Sequence, residues 1–532
     1  MPEDSSHEVI IKNAKVVDGT GNPWYHADVG IARGRISAIG RLSCDADRVI
    51  DAEGLATAPG FIDTHSHSDL MILVEPEARE KVMQGVTTQI VGQDGLGAAP
   101  LEDGGVDNWR RYLSGLNGDP EIDWNWRTFS EYLRRIEDSR PATNVASLVG
   151  HGNLRAMAMG MDNRTPTPGE LGRMKQLLES AMKDGAFGLS TGLVYAPCTY
   201  ADLGELIELS RVAAAHRGIL VVHMRNESDR LLDSVREVVT IGMKADVAVH
   251  ISHFKAIGKQ NWAKIGEALA MLEDARVRGI DVTFDQYPYV ASSTFLSMLL
   301  PTWVHEGGVQ NLLERLQDRQ VRSRVIAEVD QVRSRETGWD KVIIASVETE
   351  SNKQLEGRTV EEIATARNIS PLEAVMDLIL EEKNAVGMIR FVLSEEDVRA
   401  VMRSPLQMVC TDGLILGKPH PRAYGSFPRI LGSYVREGVI RLEEAVKKMT
   451  SMPAQRFGLL DRGLLRPGMW ADLAVFDPAT IADEATYENP RQYPKGIRYV
   501  FVGGKVAVDD GKLTDTRAGR VLRHSTVSVQ DS

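Results

Sequence analysis

The sequence predicts an α/β fold with three parts: a (β/α)8 TIM barrel, a small β-sandwich built from both chain ends, and a subdomain inserted between the seventh and eighth barrel strands. Three observations support this prediction. Eight short apolar runs alternate with helical patterns, β-like segments occur near both chain ends, and about 120 residues separate the seventh run from the eighth.

The eight apolar runs are expected to be parallel barrel strands, because apolar runs that alternate with helical patterns are typical of βα units. Eight such units are the number that closes a barrel. The runs occupy residues 60–67, 87–92, 145–150, 187–191, 219–223, 247–252, 281–285 and 407–411. Helical patterns at residues 168–185 and 200–218 precede the fourth and fifth runs, and each ends in glycine, as helices often do.

Both chain ends carry the alternating pattern of short antiparallel strands. Segments such as VIIKNAKVVDG and GRISAIGRL near the start, and ADLAVFD near the other end, are separated by Gly, Asn and Asp. We therefore expect residues 1–58 and 461–532 to form one β-sandwich beside a barrel at residues 59–460.

The interval before the eighth run is far longer than the roughly 30 residues of an ordinary βα unit. We expect residues 291–351 to form the inserted subdomain, with helices and the strand KVIIASVE. The insertion is either a lid over the barrel mouth or a segment that the fold merely tolerates.

Composition argues against several classes of protein. A formal net charge of -12 without any basic run is atypical of a nucleic-acid-binding surface. No apolar run is long enough to span a membrane, and the acidic start lacks the features of a secretory signal. The three cysteines, Cys44, Cys198 and Cys410, form no C-x-x-C pair and are expected to be reduced thiols. A cytoplasmic enzyme is the expectation.

The segment PGFIDTHSHSDL carries His65 and His67 at the end of the first run. Residues two apart on a strand project to the same face, so both imidazoles could bind one metal ion. Taken alone, the pair could equally be two hydrogen-bonded histidines on a turn. The ends of the other runs therefore decide between the two interpretations.

Four further ligand-type residues end predicted strands: Asp94 in VGQDG, His223 in VVHMR, His253 in ISHFKA and Asp412 in VCTDG. Barrel enzymes place their chemistry at the carboxyl ends of the strands, so these residues predict a metal site there. Imidazole and carboxylate ligands favour zinc. Zinc would lower the pKa of a bound water to about 7, and Asp412 could accept its proton and return it to a leaving amine.

Two other histidines lie close to these positions in the sequence. His250 is three residues before His253 and should face the opposite way, so we expect it to be structural. His151 follows the third run and could polarise a substrate or cap a loop.

The motifs together resemble the amidohydrolase superfamily, and more narrowly its D-aminoacylase branch, the N-acyl-D-amino-acid deacylases. QGVTTQIVGQDG, STGLVYAPCTYA, HMRNE, DQYPY and HPRAYGSFPRILG carry this narrower resemblance. It implies one or two zinc ions, with Asp94, His223 and His253 at the principal position and His65, His67 and Asp412 around a second. It also implies that Lys255, Tyr287, Ser293 and Arg422 bind the amino-acid carboxylate, with Tyr195 near the pocket.

The chain departs from the family pattern at Asp94, where the resembling enzymes have a cysteine. An aspartate can ligate zinc through oxygen, or it can merely cap the loop before Gly95. The fourth run ends in FGLSTG and so offers no lysine for a carbamylated bridge.

The expected function is zinc-dependent hydrolysis of N-acyl-D-amino acids, small molecules that yield a carboxylate and a free D-amino acid. One alternative is an amidase or peptidase that acts on another blocked or D-configured amide. A second is a metal-free scaffolding relative. The sequence does not determine the oligomeric state, and a homo-oligomer is one possibility.

Overall fold

A computed structural model describes residues 7–43, 45–333 and 338–524 of the chain, so Cys44 lies outside the described residues. The strands are β1 (His7–Val16), β2 (Tyr25–Ala32), β3 (Arg35–Gly40), β4 (Ala46–Asp51), β5 (Ala56–Pro59), β6 (Phe61–Asp63), β7 (Val86–Val91), β8 (Asn144–Ser147), β9 (Val149–Gly150), β10 (Gly188–Gly192), β11 (Ile219–His223), β12 (Ala248–Ile251), β13 (Val282–Gln286), β14 (Ala291–Phe295), β15 (Val342–Ser346), β16 (Gly387–Phe391), β17 (Gln407–Val409), β18 (Leu473–Phe476), β19 (Ile497–Val502), β20 (Lys505–Asp509) and β21 (Lys512–Leu513).

The helices are α1 (Met71–Val74), α2 (Arg79–Val82), α3 (Val106–Asn117), α4 (Phe129–Ser139), α5 (His151–Met159), α6 (Pro168–Lys183), α7 (Leu203–Ala215), α8 (Leu231–Ala245), α9 (Lys264–Val277), α10 (Val309–Gln317), α11 (Arg319–Arg333), α12 (Val360–Arg367), α13 (Pro371–Glu381), α14 (Glu395–Arg403), α15 (Arg422–Arg429), α16 (Leu442–Met449) and α17 (Ser451–Arg456). Helix α6 shows why such a segment begins where it does. Thr167 and Glu170 form a capping box, and Pro168 occupies the first turn, where its missing N–H costs no helical hydrogen bond. No helix among the described residues combines the length and apolar character needed to cross a bilayer.

Strands from the two chain ends join one nine-stranded sheet in the order β21-β20-β19-β18-β5-β1-β2-β3, with β4 also paired to β1. The link between the ends is the antiparallel pairing of β18 with β5. Alternating residues of these strands are buried in a cluster of their own, which includes Val9, Ile31, Val475 and Phe501.

Parallel strands form two further sheets, one ordered β6-β7-β8 and the other β9-β10-β11-β12-β13-β17. Strands β8 and β9 are consecutive in the chain and are separated by Leu148 alone. A parallel bridge between Ser66 and Gly413 connects the segments that follow β6 and β17. Most of these strands are buried at every residue, as expected where helices cover a parallel sheet.

The inserted segment is longer than the predicted residues 291–351. Strand β16 lies between β14 and β15 in a three-stranded antiparallel sheet, so the unit extends to Phe391. Helices α10 to α13 belong to it. The prediction ended too early because β16 pairs with residues almost 100 positions away, and no local pattern shows that pairing.

A buried ion pair supports the ends of β6 and β17. Lys81 Nζ lies 2.7 Å from Asp63 Oδ2 and 2.7 Å from the Thr411 hydroxyl oxygen, and Asp63 also accepts the Thr411 N–H. Lys81 and Asp63 are at most 1% exposed, so neither charge is compensated by water. The pair therefore holds together the two segments that carry His65 and Asp412.

We expect Lys81→Met to lower the free energy of unfolding by about 3 kcal/mol, because it leaves the Asp63 carboxylate buried without its cation. Chemical denaturation measures the change. Lys81→Met/Asp63→Asn should recover part of the loss, while Lys183→Met, which breaks an exposed pair with Glu179, should match the parent. Equal stability of Lys81→Met and the parent would contradict the assigned role.

Candidate metal centre

The ligand-type residues predicted from the strand ends converge at the carboxyl ends of the parallel strands. His65 and His67 follow β6, Asp94 follows β7, His223 ends β11, His253 follows β12 and Asp412 follows β17. Asp94, His253 and Asp412 have φ values of 57°, 36° and 48°. Left-handed backbone at a non-glycine residue costs free energy, so the surrounding fold holds these residues in place.

Asp94 lies at the centre of the cluster. Its Oδ2 atom is 3.7 Å from His65 Nε2, 3.6 Å from His67 Nε2 and 3.6 Å from His223 Nδ1. Its Oδ1 atom is 3.7 Å from His253 Nε2. Asp94 therefore belongs to two potential ligand groups, one with His65 and His67 and one with His223 and His253.

The donor set and its spacing fit a zinc ion. Two donors that bind one tetrahedral ion at about 2.1 Å lie roughly 3.4 Å apart, close to the separations around Asp94. Within the described part of the chain, Asp94 Oδ1 and His223 Nδ1 are buried without a hydrogen-bond partner. Buried polar atoms without partners are costly, and a bound cation would satisfy donors of this kind.

A second layer of hydrogen bonds orients the cluster. The Asp285 carboxylate accepts the backbone N–H of His253 and the hydroxyl of Thr64, and it pairs with His250 Nε2 at 2.9 Å. His250 is bound to Asp285 and to the Thr283 hydroxyl, and neither potential ligand group around Asp94 includes it. The backbone N–H of Asp412 donates to the carbonyl of His65, which fixes the two segments relative to each other.

Asp412 is buried beside Arg422. Arg422 Nη1 lies 2.8 Å from Asp412 Oδ2, while Asp412 Oδ1 is 3.1 Å from His67 Nε2. Burial by itself raises the pKa of Asp412, but the Arg422 guanidinium and the neighbouring histidines together hold that pKa well below its usual range. Asp412 is therefore an ionised carboxylate. Its Oδ2 oxygen contacts Arg422, and its Oδ1 oxygen faces the cluster.

A cavity of about 180 Å³ opens onto the cluster. It is lined by most of the predicted site residues: His67, Asp94, His223, His253, Asp412, Tyr195, Lys255, Tyr287 and Ser293. The structure therefore brings the candidate ligands and most of the candidate substrate-binding residues together at one place.

Three predicted residues do not line this cavity: His65, Arg422 and His151. His65 is fully buried in the cluster behind it. Arg422 is fully buried against Asp412 and the Tyr287 ring, and it donates to the Ser293 carbonyl. It thus supports residues of the site from behind.

The placement of His151 corrects its assignment to the substrate site. Its Nε2 lies 2.7 Å from Glu205 Oε1 and its Nδ1 lies 2.9 Å from the Thr191 hydroxyl, with no exposed surface. Burial lowers the pKa of His151, but Cys198 and Glu205 raise it to about 9 overall. His151 turns away from the cavity because Gly150, rather than His151, ends the strand and His151 begins helix α5.

Glu227 is a buried cavity residue that the sequence reasoning missed. Its Oε1 atom is 2.7 Å from Lys255 Nζ and 3.4 Å from His253 Nδ1. Burial raises the pKa of Glu227, but Lys255, His223 and His253 together lower it to about 2. The acidic residue four positions after His223, in HMRNE, is the signal that could have identified it.

Comparison with known proteins agrees with this arrangement. A family model for the amidohydrolase family matches residues 48–508. The chain belongs to the amidohydrolase family. This amidohydrolase is 37% identical over 519 residues to D-aminoacylase of Alcaligenes xylosoxydans xylosoxydans, with 97% of each chain covered. It is 38% identical to N-acyl-D-glutamate deacylase of the same organism, with 97% of this chain and 96% of that protein covered.

Solved structures of related amidohydrolases have the same overall fold. N-acyl-D-glutamate deacylase from Bordetella bronchiseptica, complexed with zinc and a phosphonate mimic of the tetrahedral intermediate, matches with a TM-score of 0.84. That match has 36% identity and covers 98% of this amidohydrolase and all of the relative. D-Aminoacylase matches with a TM-score of 0.83 at 36% identity, over 97% of this chain and all of that one.

Proposed function

We propose that this amidohydrolase is a zinc-dependent deacylase that hydrolyses the amide bond of N-acyl-D-amino acids. The observation that carries the proposal is the cluster in which Asp94 joins His65 and His67 to His223 and His253 beside a cavity. The D-aminoacylase and N-acyl-D-glutamate deacylase relatives support the substrate class, since they align over nearly the whole chain.

The proposed architecture is a (β/α)8 barrel with a β-sandwich from both chain ends and the inserted unit beside the cavity. The chain-order pairing of the parallel strands and the bridge between Ser66 and Gly413 support a closed barrel. This architecture accounts for the convergence of distant strand ends, because a closed barrel directs them all to one face.

In this proposal Asp94, His223 and His253 hold the principal zinc, and His65, His67 and Asp412 surround a second position. Zinc at such a site supplies a water whose pKa is lowered to about 7 and polarises a carbonyl oxygen. Asp412 accepts the proton of the attacking water and then delivers it to the departing amine nitrogen. Arg422 keeps Asp412 ionised before this transfer and holds it in position.

The amino-acid carboxylate is assigned to the cavity residues Lys255, Tyr287 and Ser293. An ammonium group and two hydroxyls give a carboxylate charge-assisted and oriented hydrogen bonds. Tyr195 lies at the same cavity, with its hydroxyl oxygen 3.1 Å from that of Thr294 and its ring next to His223. It would help to close the cavity around the bound acyl group.

We expect Glu227→Gln to raise KM at least about tenfold, because Lys255 would lose the charged partner that fixes its ammonium group. Steady-state kinetics with an N-acetyl-D-amino acid measures the effect. Glu267→Gln, an exposed change of the same kind on α9, serves as the matched control. An unchanged KM in folded Glu227→Gln would show that Lys255 does not depend on Glu227.

A panel of N-acetyl amino acids in D and L forms tests the proposed function, with release of free amine as the assay. We expect hydrolysis of D substrates by the zinc-loaded protein and its loss after chelation. Hydrolysis of L forms only, or full activity in metal-free protein, would overturn the proposal. Absence of both bound metal and activity would favour a scaffolding role instead.

A further inference from the structure

One wall of the cavity comes from the inserted unit. Ser292, Ser293 and Thr294 of β14 line the cavity, and Arg390 of β16, which pairs with Ser292, lines it too. Strand β14 is an edge strand of its three-stranded sheet, so it pairs with β16 on one side only. Backbone groups on the other side of an edge strand need partners from outside the sheet. The contacts of those groups therefore set the position of this wall.

Two side chains from the segment after β17 bond to alternating carbonyls of β14. His420 Nε2 lies 3.0 Å from the carbonyl oxygen of Ala291. Arg422 Nη2 lies 3.0 Å from the carbonyl oxygen of Ser293, while Nη1 of the same guanidinium contacts the Asp412 carboxylate. The segment that carries the proposed general base is thus bonded to the cavity wall at two points.

The hydrogen bonds of His420 define which of its ring nitrogens carries the proton. Nδ1 lies 3.0 Å from the backbone nitrogen of Arg422, and a backbone N–H can only donate, so Nδ1 is an acceptor. Nε2 therefore carries the proton and donates to the Ala291 carbonyl, while its contact with the Tyr487 hydroxyl is longer, at 3.5 Å. Burial and the Arg422 charge hold the pKa of His420 well below its ordinary value, so the ring is neutral.

The sequence His-Pro-Arg at residues 420–422 explains the local geometry. Pro421 precedes α15 and has no N–H, so the Arg422 N–H is the first donor of that helix. N–H groups in the first turn have no partner within the helix, and His420 Nδ1 supplies one. The imidazole ring carries its second nitrogen on the other side, where it reaches β14.

We propose that His420 is a positioning residue, whose two hydrogen bonds fix the β14 wall of the cavity relative to the Asp412–Arg422 pair. This inference rests on the proposed deacylase function. His420 is fully buried and does not line the cavity, so it acts through its partners. Nδ1 holds the backbone of Arg422, which contacts Asp412, so loss of this bond should lower kcat. Nε2 holds β14, which carries Ser293, so loss of that bond should raise KM.

Two variants separate the two bonds, because the amide of asparagine lies near the position of Nδ1 and that of glutamine near the position of Nε2. His420→Asn keeps an acceptor for the Arg422 N–H, so KM should rise about tenfold while kcat stays within about twofold of the parent. His420→Gln keeps a donor for the Ala291 carbonyl, so kcat should fall about tenfold with KM nearly unchanged. Steady-state kinetics with an N-acetyl-D-amino acid measures both constants.

His524 offers matched controls, because it packs on Phe187 beside the amino end of β10, away from the strand ends that carry the candidate ligands. His524→Asn and His524→Gln should have the kcat and KM of the parent. Thermal unfolding checks that the His420 variants are folded. Either His420 variant alone is sufficient, since each is expected to change one constant only.

Hydrogen exchange followed by mass spectrometry adds a readout that does not depend on activity. Exchange should be faster in the β14 peptide of His420→Asn and in the peptide covering residues 413–424 of His420→Gln. Parent values of kcat and KM in a folded variant, or equal effects on both constants, would overturn the positioning role while leaving deacylation intact. If the parent hydrolyses no N-acyl-D-amino acid, the proposed function fails. The exchange pattern then decides the inference: faster exchange in the expected peptide alone supports it, and any other pattern overturns it.

Discussion

Asp412→Asn is expected to lower kcat by about 10²-fold to 10⁴-fold while zinc stays bound at the principal position. The amide has the shape of the carboxylate but cannot accept the proton of the attacking water, and general-base catalysis contributes this much to rate. Asparagine also tolerates the left-handed backbone at this position, where φ is 48°. The comparison needs kcat and zinc content measured on the same preparation.

Two controls keep the Asp412→Asn result interpretable. Asp274→Asn makes the same chemical change at an exposed position on α9 and should have the parent's kcat. Asp412→Asn leaves the buried Arg422 without its ion pair, which could destabilise the protein. Circular dichroism checks that the variant is still folded. A folded, zinc-loaded Asp412→Asn protein with most of the parent kcat would show that another group takes the proton.

The second large effect is expected at Asp94, which both potential ligand groups share. Asp94→Asn should weaken zinc binding by more than about 100-fold, beyond the usual cost of losing a residue that only supports a ligand. Activity should fall with the zinc content. Asparagine is preferred to alanine here because the φ of 57° at Asp94 is unfavourable for alanine.

The identity of the donor at this position should also set the metal preference. A carboxylate oxygen is a harder donor than a thiolate, so the parent should accept manganese more readily than Asp94→Cys does. Competition between zinc and manganese, followed by elemental analysis, measures this difference. Zinc stoichiometry in Asp94→Asn equal to that of the parent would mean that Asp94 is not a ligand, and that it serves only the loop before Gly95.

The prediction of the candidate ligands came from local patterns in the sequence. His65 and His67 could be recognised because two residues on one face of a strand can bind one ion. Asp94, His223, His253 and Asp412 could be recognised because each follows an apolar run, and the carboxyl ends of parallel strands gather at one face. The structure brings the four histidines together around Asp94, and Asp412 lies beside them, 3.1 Å from His67 Nε2.

The tertiary structure alone decided which side chains face the cavity and where the inserted unit ends. His151 follows a strand as the ligands do, yet helix α5 begins at that residue and directs it towards Glu205. Arg422 contacts Asp412 on the side away from the cavity, and Glu227 forms an ion pair with Lys255. Both contacts join residues that are not neighbours in the sequence.

Arg390 shows the physical reason most clearly. Its place at the cavity depends on the pairing of β16 with β14, whose residues lie almost 100 positions earlier in the chain. Strand periodicity is a property of neighbouring residues and can be seen in the sequence, so it predicted the strands and the ligands at their ends. Register between distant strands is set by packing of the whole chain, so only the folded structure placed this arginine in the cavity.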